Sequence, residues 1–194
     1  MKWLSLALVM AALSVVSVRA DADAKSARLY YAWHQMCLVD DTDAIDRQIA
    51  RYEKKLKADA NDHLAKAYLG SACALRAKAS FWGPTKLKFL RRGEKLMNGA
   101  VNAAPNDARV RMVRAIGFYK IPKRFDKRPT SLKDFEKLIP VATGKNNALE
   151  VNERQAVLYY AWLAFKEEGH EQAAELKAAC HRLAPNSKYG KLTK

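Results

Sequence analysis

Apolar residues along this chain recur at intervals of three and four, the period of a helix with one buried face. Leu29, Tyr30, Trp33, Cys37 and Leu38 predict a first helix over 25–38. The acidic run Asp40-Asp41-Thr42-Asp43 ends it and caps the next helix, where Ile45, Ile49, Tyr52 and Leu56 share a stripe and Arg47, Arg51, Lys54 and Lys55 lie largely outside. That run lacks the glycine and closing glutamate of an EF-hand loop, so capping is the reading taken. Residues 63–79 are crowded with small side chains (Ala65, Ala67, Gly70, Ser71, Ala72, Ala74, Ala77, Ala79), as expected of a central helix touched on several sides.

Ser80-Phe81-Trp82-Gly83-Pro84 breaks the pattern before a helix over 85–104. A further helix over 107–119 stops ahead of Pro122, and a basic loop runs on to Pro129. Ser131-Leu132-Lys133-Asp134 reads as the capped start of a short helix over 131–139. Helices over 148–168 and 170–184, turned at Gly169, complete a set of eight. No convincing strand appears, and 188–194 is expected to be a flexible basic tail.

One phrase recurs at the corners: Ala58-Asp59-Ala60-Asn61-Asp62, Ala103-Ala104-Pro105-Asn106-Asp107 and Leu183-Ala184-Pro185-Asn186-Ser187. Proline cannot continue a helix, asparagine tolerates a tight reversal, and aspartate or serine accepts bonds from the free amides of the next helix. Asn61 and Asn106 are 45 residues apart (106 − 61), and Asn106 and Asn186 are 80 apart (186 − 106), twice 40. Periods of this order belong to helical repeats. A missing corner is expected near 145, where Thr143-Gly144-Lys145-Asn146-Asn147 lies.

The last hairpin carries a family resemblance. Ala161-Trp162-Leu163-Ala164-Phe165, Gly169-His170, Ala173-Ala174, Ala178-Ala179 and Leu183-Ala184-Pro185-Asn186 resemble a tetratricopeptide repeat. The interval from Ala174 to Pro185 is one residue shorter than the usual pattern. The likeness is good over 157–186, weak over 43–121 and absent over 122–147. It implies an α-solenoid of stacked antiparallel hairpins over 23–187, with a concave groove for a protein or peptide.

Residues 1–22 read as a signal peptide: Lys2, an apolar stretch from Trp3 to Val18, then small residues at Val18-Arg19-Ala20 and Ala20-Asp21-Ala22. The apolar stretch is shorter than the ~20 residues of a membrane span. A periplasmic or secreted location follows. The chain carries 35 basic against 20 acidic residues, a formal charge of +15, and removing residues 1–20 takes away only Lys2 and Arg19 of these. Such a protein meets lipopolysaccharide, cell-wall polymer, anionic lipid and acidic proteins more readily than nucleic acid. Cys37, Cys73 and Cys180 each lie in an apolar context. Three free thiols or one bridged pair both fit, Cys37–Cys73 being the pair to test.

Little catalytic chemistry is legible: there is no phosphate-binding glycine loop, no Cys-x-x-Cys and no His-Glu-x-x-His. His34 with Cys37, and Cys180 beside His181, would hold a metal only if the first and last hairpins met. No cofactor, metal or enzymatic activity is expected. The candidate binding residues are Arg111, Arg114, Lys120, Lys123, Arg124, Lys127 and Arg128, in a run with Asp126 as its one internal acid. Arg109, on the apolar stripe, is expected to pair with a buried acid instead. Phe81 and Trp82 are candidates for a membrane interface, against the preferred expectation that both rings turn inward. The function expected is an exported, non-enzymatic protein-interaction module, an adaptor or accessory of an envelope system. The alternative is a basic binder of anionic lipid, lipopolysaccharide or cell-wall polymer through 109–128.

Overall fold

The computed structural model describes residues 23–145 and 148–194, with no strand among them. The signal peptide expected over 1–22, and Asn146 and Asn147 of the fourth corner, lie outside the described residues. The elements are α1 (23–35), α2 (Thr42–Ala58), α3 (His63–Ala79), α4 (Gly83–Ala103), α5 (Ala108–Lys120), a 3-10 turn (Lys123–Phe125), α6 (Arg128–Thr143), α7 (Val151–Glu167), α8 (Ala173–Leu183) and α9 (Lys188–Leu192).

The recurring phrase does form corners. Asp62 caps α3 by accepting from the Ala65 amide at 2.8 Å, and Asp107 caps α5 by accepting from Arg109 and Val110 at 2.9 and 3.1 Å. Ser187 does the same for α9 through the Gly190 amide at 2.9 Å. The fourth corner falls between the end of α6 and the start of α7. Helices α3, α5 and α7 therefore begin 45 and 43 residues apart (108 − 63, 151 − 108).

Each helix from α2 packs on its successor, and contacts also join α3 to α5, α5 to α7 and α7 to α9. The Tyr52 hydroxyl donates to the Tyr30 carbonyl at 2.6 Å and fastens α1 to α2. The core divides in two. Tyr30, Ile45, Tyr52, Tyr68 and Cys73 fill the first half, and Phe135, Leu138, Val157, Phe165, Leu176 and Cys180 the second. Met97, Phe118 and Ile121 form a third, smaller group.

The small residues of α3 let α4 come very close. A Cβ placed on Gly93 would stand 2.6 Å from the Gly70 carbonyl oxygen, and one on Gly70 would stand 2.8 Å from that of Gly93. The obstacle is backbone, which no rotamer change can move aside.

Two local expectations need correction. Helix α6 is longer than 131–139 and runs through Pro140 to Thr143. Proline here removes one bond in the last turns. Arg154 offsets that by donating to the Ala142 and Gly144 carbonyls at 2.7 and 2.8 Å, two of the acceptors a helix end leaves free. The tail expected to be flexible instead carries α9, which packs on α7 and α8. Tyr189 packs against Tyr159 and, edge-on, against Tyr160, and Gly190 lies so close to the Ala184 and Pro185 carbonyls that a side chain there would collide with them.

All three thiols are free and buried. Burial pushes Cys37 up to about 12, with Cys73 close enough to add to the shift, and Cys73 itself to about 11.

Gly93→Ala is expected to lower the unfolding free energy by about 1–3 kcal/mol through forced separation of α3 from α4, despite alanine's better helix propensity. Gly83→Ala, with nothing within 4 Å of the added atom, should be close to neutral. Urea denaturation of the two variants side by side checks both.

Candidate functional site

The basic run from Arg109 to Arg128 is held by acids brought in from other elements. Asp134 of α6 lies on the buried stripe with Ser131, Phe135 and Leu138. Its carboxylate accepts from Arg111 Nη1 at 2.7 Å and from Arg114 Nε and Nη2, both at 2.8 Å. Arg111 also donates to the Pro105 carbonyl, and Arg114 to Asn98 of α4 at 3.1 Å. All three charged side chains are buried or nearly so. One carboxylate thus ties α6 to two successive turns of α5, and through them to the preceding corner. Ser131, expected to cap a helix start, lies inside α6 and donates to the Ala115 carbonyl at 2.7 Å.

Four further members of the run are paired with acids in the same way, and two are not. Arg109 pairs with Glu153 of α7 at 2.9 Å, a partner of the kind its place on the apolar stripe implied. Lys127 pairs with Glu94, and Arg128 meets Glu167 at 3.1 Å with its guanidinium over Tyr119. Lys123 bonds Glu168 at 3.0 Å. Lys120 lies over Tyr160 and Arg124 over Phe125, with both residues exposed. Asp126, the acid inside the run, sits in the left-handed region at φ 54° and ends the 3-10 turn. Sequence reasoning missed Asp134 as a hub, although its place between Ser131 and Phe135, Leu138 and Ala142 on one stripe could have marked it.

The first helix reaches the far half of the molecule. Arg28 of α1 bonds Glu150, the residue that caps α7, at 3.0 and 3.1 Å. Tyr31 is near enough to Tyr68 and to Tyr189 of α9 to add to the upward shift of both phenols, each of which is raised mainly by burial. His34 packs against Tyr68 with ring centroids 5.5 Å apart, its Nδ1 sealed without a hydrogen-bond partner. Burial lowers its pKa to about 4, and Lys120 adds to the effect.

The Phe81–Trp82 elbow corrects the inward-turned expectation: Phe81 is 100% exposed and Trp82 66%. Ser80 is buried, and its hydroxyl donates to the Arg76 carbonyl at 2.8 Å, so the chain is pinned until the residue before Phe81 and then steps outward. Beside the elbow, the last turns of α3 and the α1–α2 loop enclose a recess of about 140 Å³ lined by Cys37, Leu38, Val39, Asp40, Leu75 and Lys78. Leu38 and Val39 of its lining, and Met36 next along the loop, are nearly half exposed.

The two histidine–cysteine pairs stay in separate halves, Cys37 in the first core cluster and Cys180 in the second. Among the described residues no group of three or more His, Cys, Asp or Glu side chains could hold a metal ion, and no helix is long and apolar enough to cross a membrane. Comparison with protein-family models, curated proteins and solved structures finds no match. The class that can be stated is therefore an all-helical protein in which five of the arginines and lysines between Arg109 and Lys127, and Arg128 after them, are paired with acids of other helices.

Asp134→Ala strands two buried guanidiniums and is expected to cost about 3–5 kcal/mol of stability, measured by chemical denaturation. Arg124→Ala, at an exposed site, should stay within about 0.5 kcal/mol. For His34 the unfolded chain takes up a proton near 6.5 and the folded chain only near 4. Stability should therefore fall as pH drops through that window, because the unfolded state binds the extra proton. A melting series in His34→Gln is expected to lose less across the same range than the parent.

Proposed function

We propose that this chain is a non-enzymatic binding protein, an exported stack of helical hairpins with the build of a tetratricopeptide repeat, serving as an adaptor or accessory of a cell-envelope system. Its partner in this reading is a protein or peptide. The observation that carries it is the apolar edge at the α1–α2 loop, where Met36, Leu38 and Val39 stand in water and the last two line a recess with Leu75. A folded chain that buries Tyr30, Tyr52 and Ile45 completely gains nothing by leaving three large apolar side chains together at a loop unless something covers them. The recess is the size of one inserted apolar side chain, and Lys78 and Asp40 at its rim can orient polar groups flanking that anchor.

Between α1 and α7, Arg28 bonds Glu150, and Tyr31 lies near enough to Tyr68 and Tyr189 to raise both phenols. Recognition is accordingly assigned to the loop end of the stack. The pairing of Arg111, Arg114, Lys127 and Arg128 with internal acids supports the same assignment, since those charges already have partners.

Leu38→Glu/Val39→Glu is expected to abolish capture of the partner from envelope extract with no change in melting temperature. Lys120→Glu/Arg124→Glu should leave capture intact. Equal recovery with the first variant removes the loop edge as the binding surface.

A further inference from the structure

The elbow lies beside that recess, with Lys78 between them, and has a chemistry of its own. Phe81 and Trp82 project from a fixed root: Ser80 is buried, Arg76 donates to the Ser80 hydroxyl at 2.6 Å and to Asp46 at 2.9 Å, and the Arg76 guanidinium covers Phe89 at 4.9 Å. No side chain caps the start of α4, and Pro84 sets its first turn. Pro84, Leu87, Lys88 and Arg91 then recur at helical spacing, and all four are exposed. Pro84 and Leu87 thus extend the apolar tip of Phe81 and Trp82 along α4, with Lys88 and Arg91 following on the same outward face.

The charge around this tip has one sign. From His63 to Gly93 the chain contains no aspartate or glutamate but seven lysines and arginines. Arg76 and Arg92 are spent on Asp46 and Glu53. Among the described residues Lys78, Lys86, Lys88 and Arg91 form no ion pair, and each is exposed. In the basic run, by contrast, Arg109 pairs with Glu153 and Lys127 with Glu94. Here no such acid is supplied.

We propose that the elbow seats on an anionic membrane surface, with Phe81, Trp82 and Leu87 entering the boundary between headgroups and acyl chains and Lys86, Lys88 and Arg91 meeting lipid phosphates. Tryptophan favours that boundary because one edge of its ring is apolar and its N–H bonds to headgroups. Lysine and arginine stems reach along the apolar layer while their charges stay with the phosphates. The charge complementarity favours lipid over a protein occupant: four unpaired cations around an aromatic tip match a uniform anionic plane. With no helix among the described residues able to span a bilayer, the contact is peripheral.

The test uses the full chain, so that residues 1–22 are common to every variant, and vesicles of equimolar phosphatidylcholine and phosphatidylglycerol against pure phosphatidylcholine. Phe81→Ser/Trp82→Ser is expected to weaken partitioning into the mixed vesicles about tenfold or more, with an unchanged melting temperature because both rings are exposed. Lys86→Glu/Lys88→Glu/Arg91→Glu should reduce both the preference for phosphatidylglycerol and the salt dependence of binding. Since the three native thiols are buried, an environment-sensitive dye on Phe81→Cys labels that site selectively, and its emission should shift to the blue on mixed vesicles. Unchanged partitioning of the serine variant, or a dye that stays in water, overturns the proposal, and a dye shifted only by a protein from envelope extract overturns it in favour of a protein occupant. Leu38→Glu/Val39→Glu should bind these vesicles like the parent, so this reading and that of the loop edge can fail independently.

Discussion

One buried carboxylate sets the geometry of the middle of the molecule. Asp134 is almost wholly out of water and accepts three hydrogen bonds from Arg111 and Arg114. Removing a carboxylate from water is costly, and only well-placed cations with their own bonds satisfied can offset it. The arginines meet that condition, because Pro105 and Asn98 take up further donors. The node therefore constrains α5 and α6 to one relative placement, and with them the corner before α5. A purely apolar contact could slide; two guanidiniums sharing one carboxylate cannot do so without stranding a charge.

Around that node the packing is set by the absence of side chains as much as by their presence. Gly70 and Gly93 allow α3 and α4 to touch backbone to backbone, which places Met97 against Gly70 and Gly117. Larger residues fill the two halves on either side, tyrosines in the first and phenylalanine with leucine and valine in the second. Polar links then cross between distant helices: Arg109 to Glu153 from α5 to α7, and Arg28 to Glu150 from α1 to α7. Glu153 has a double role, since it also accepts from the Glu150 amide at 2.7 Å as part of the cap of α7.

The surface divides accordingly. Acids from neighbouring helices absorb most of the basic run into the framework; at the elbow after α3, charge and aromatic rings stand in water together. A high formal charge describes both regions equally well. Only the first is neutralised by folding.

What the residues determined by themselves was local. Period, proline and small capping side chains sufficed for helix identity and for corners at Asn61, Asn106 and Asn186, because a helix end is governed by atoms within a few residues of it. The burial of the three cysteines and the pairing of Arg109 were legible for a similar reason, as both follow from position on an apolar stripe. Partners far along the chain were decided by tertiary structure. Asp134 read as part of a cap until α5 was laid against it, the last residues read as loose until Tyr189 found Tyr159, and Phe81 read as inward until the buried Ser80 fixed where the chain leaves the core. The physical reason is range: propensities and caps act over one helical turn, whereas the energy of a buried charge or an exposed ring depends on which distant element comes to lie beside it.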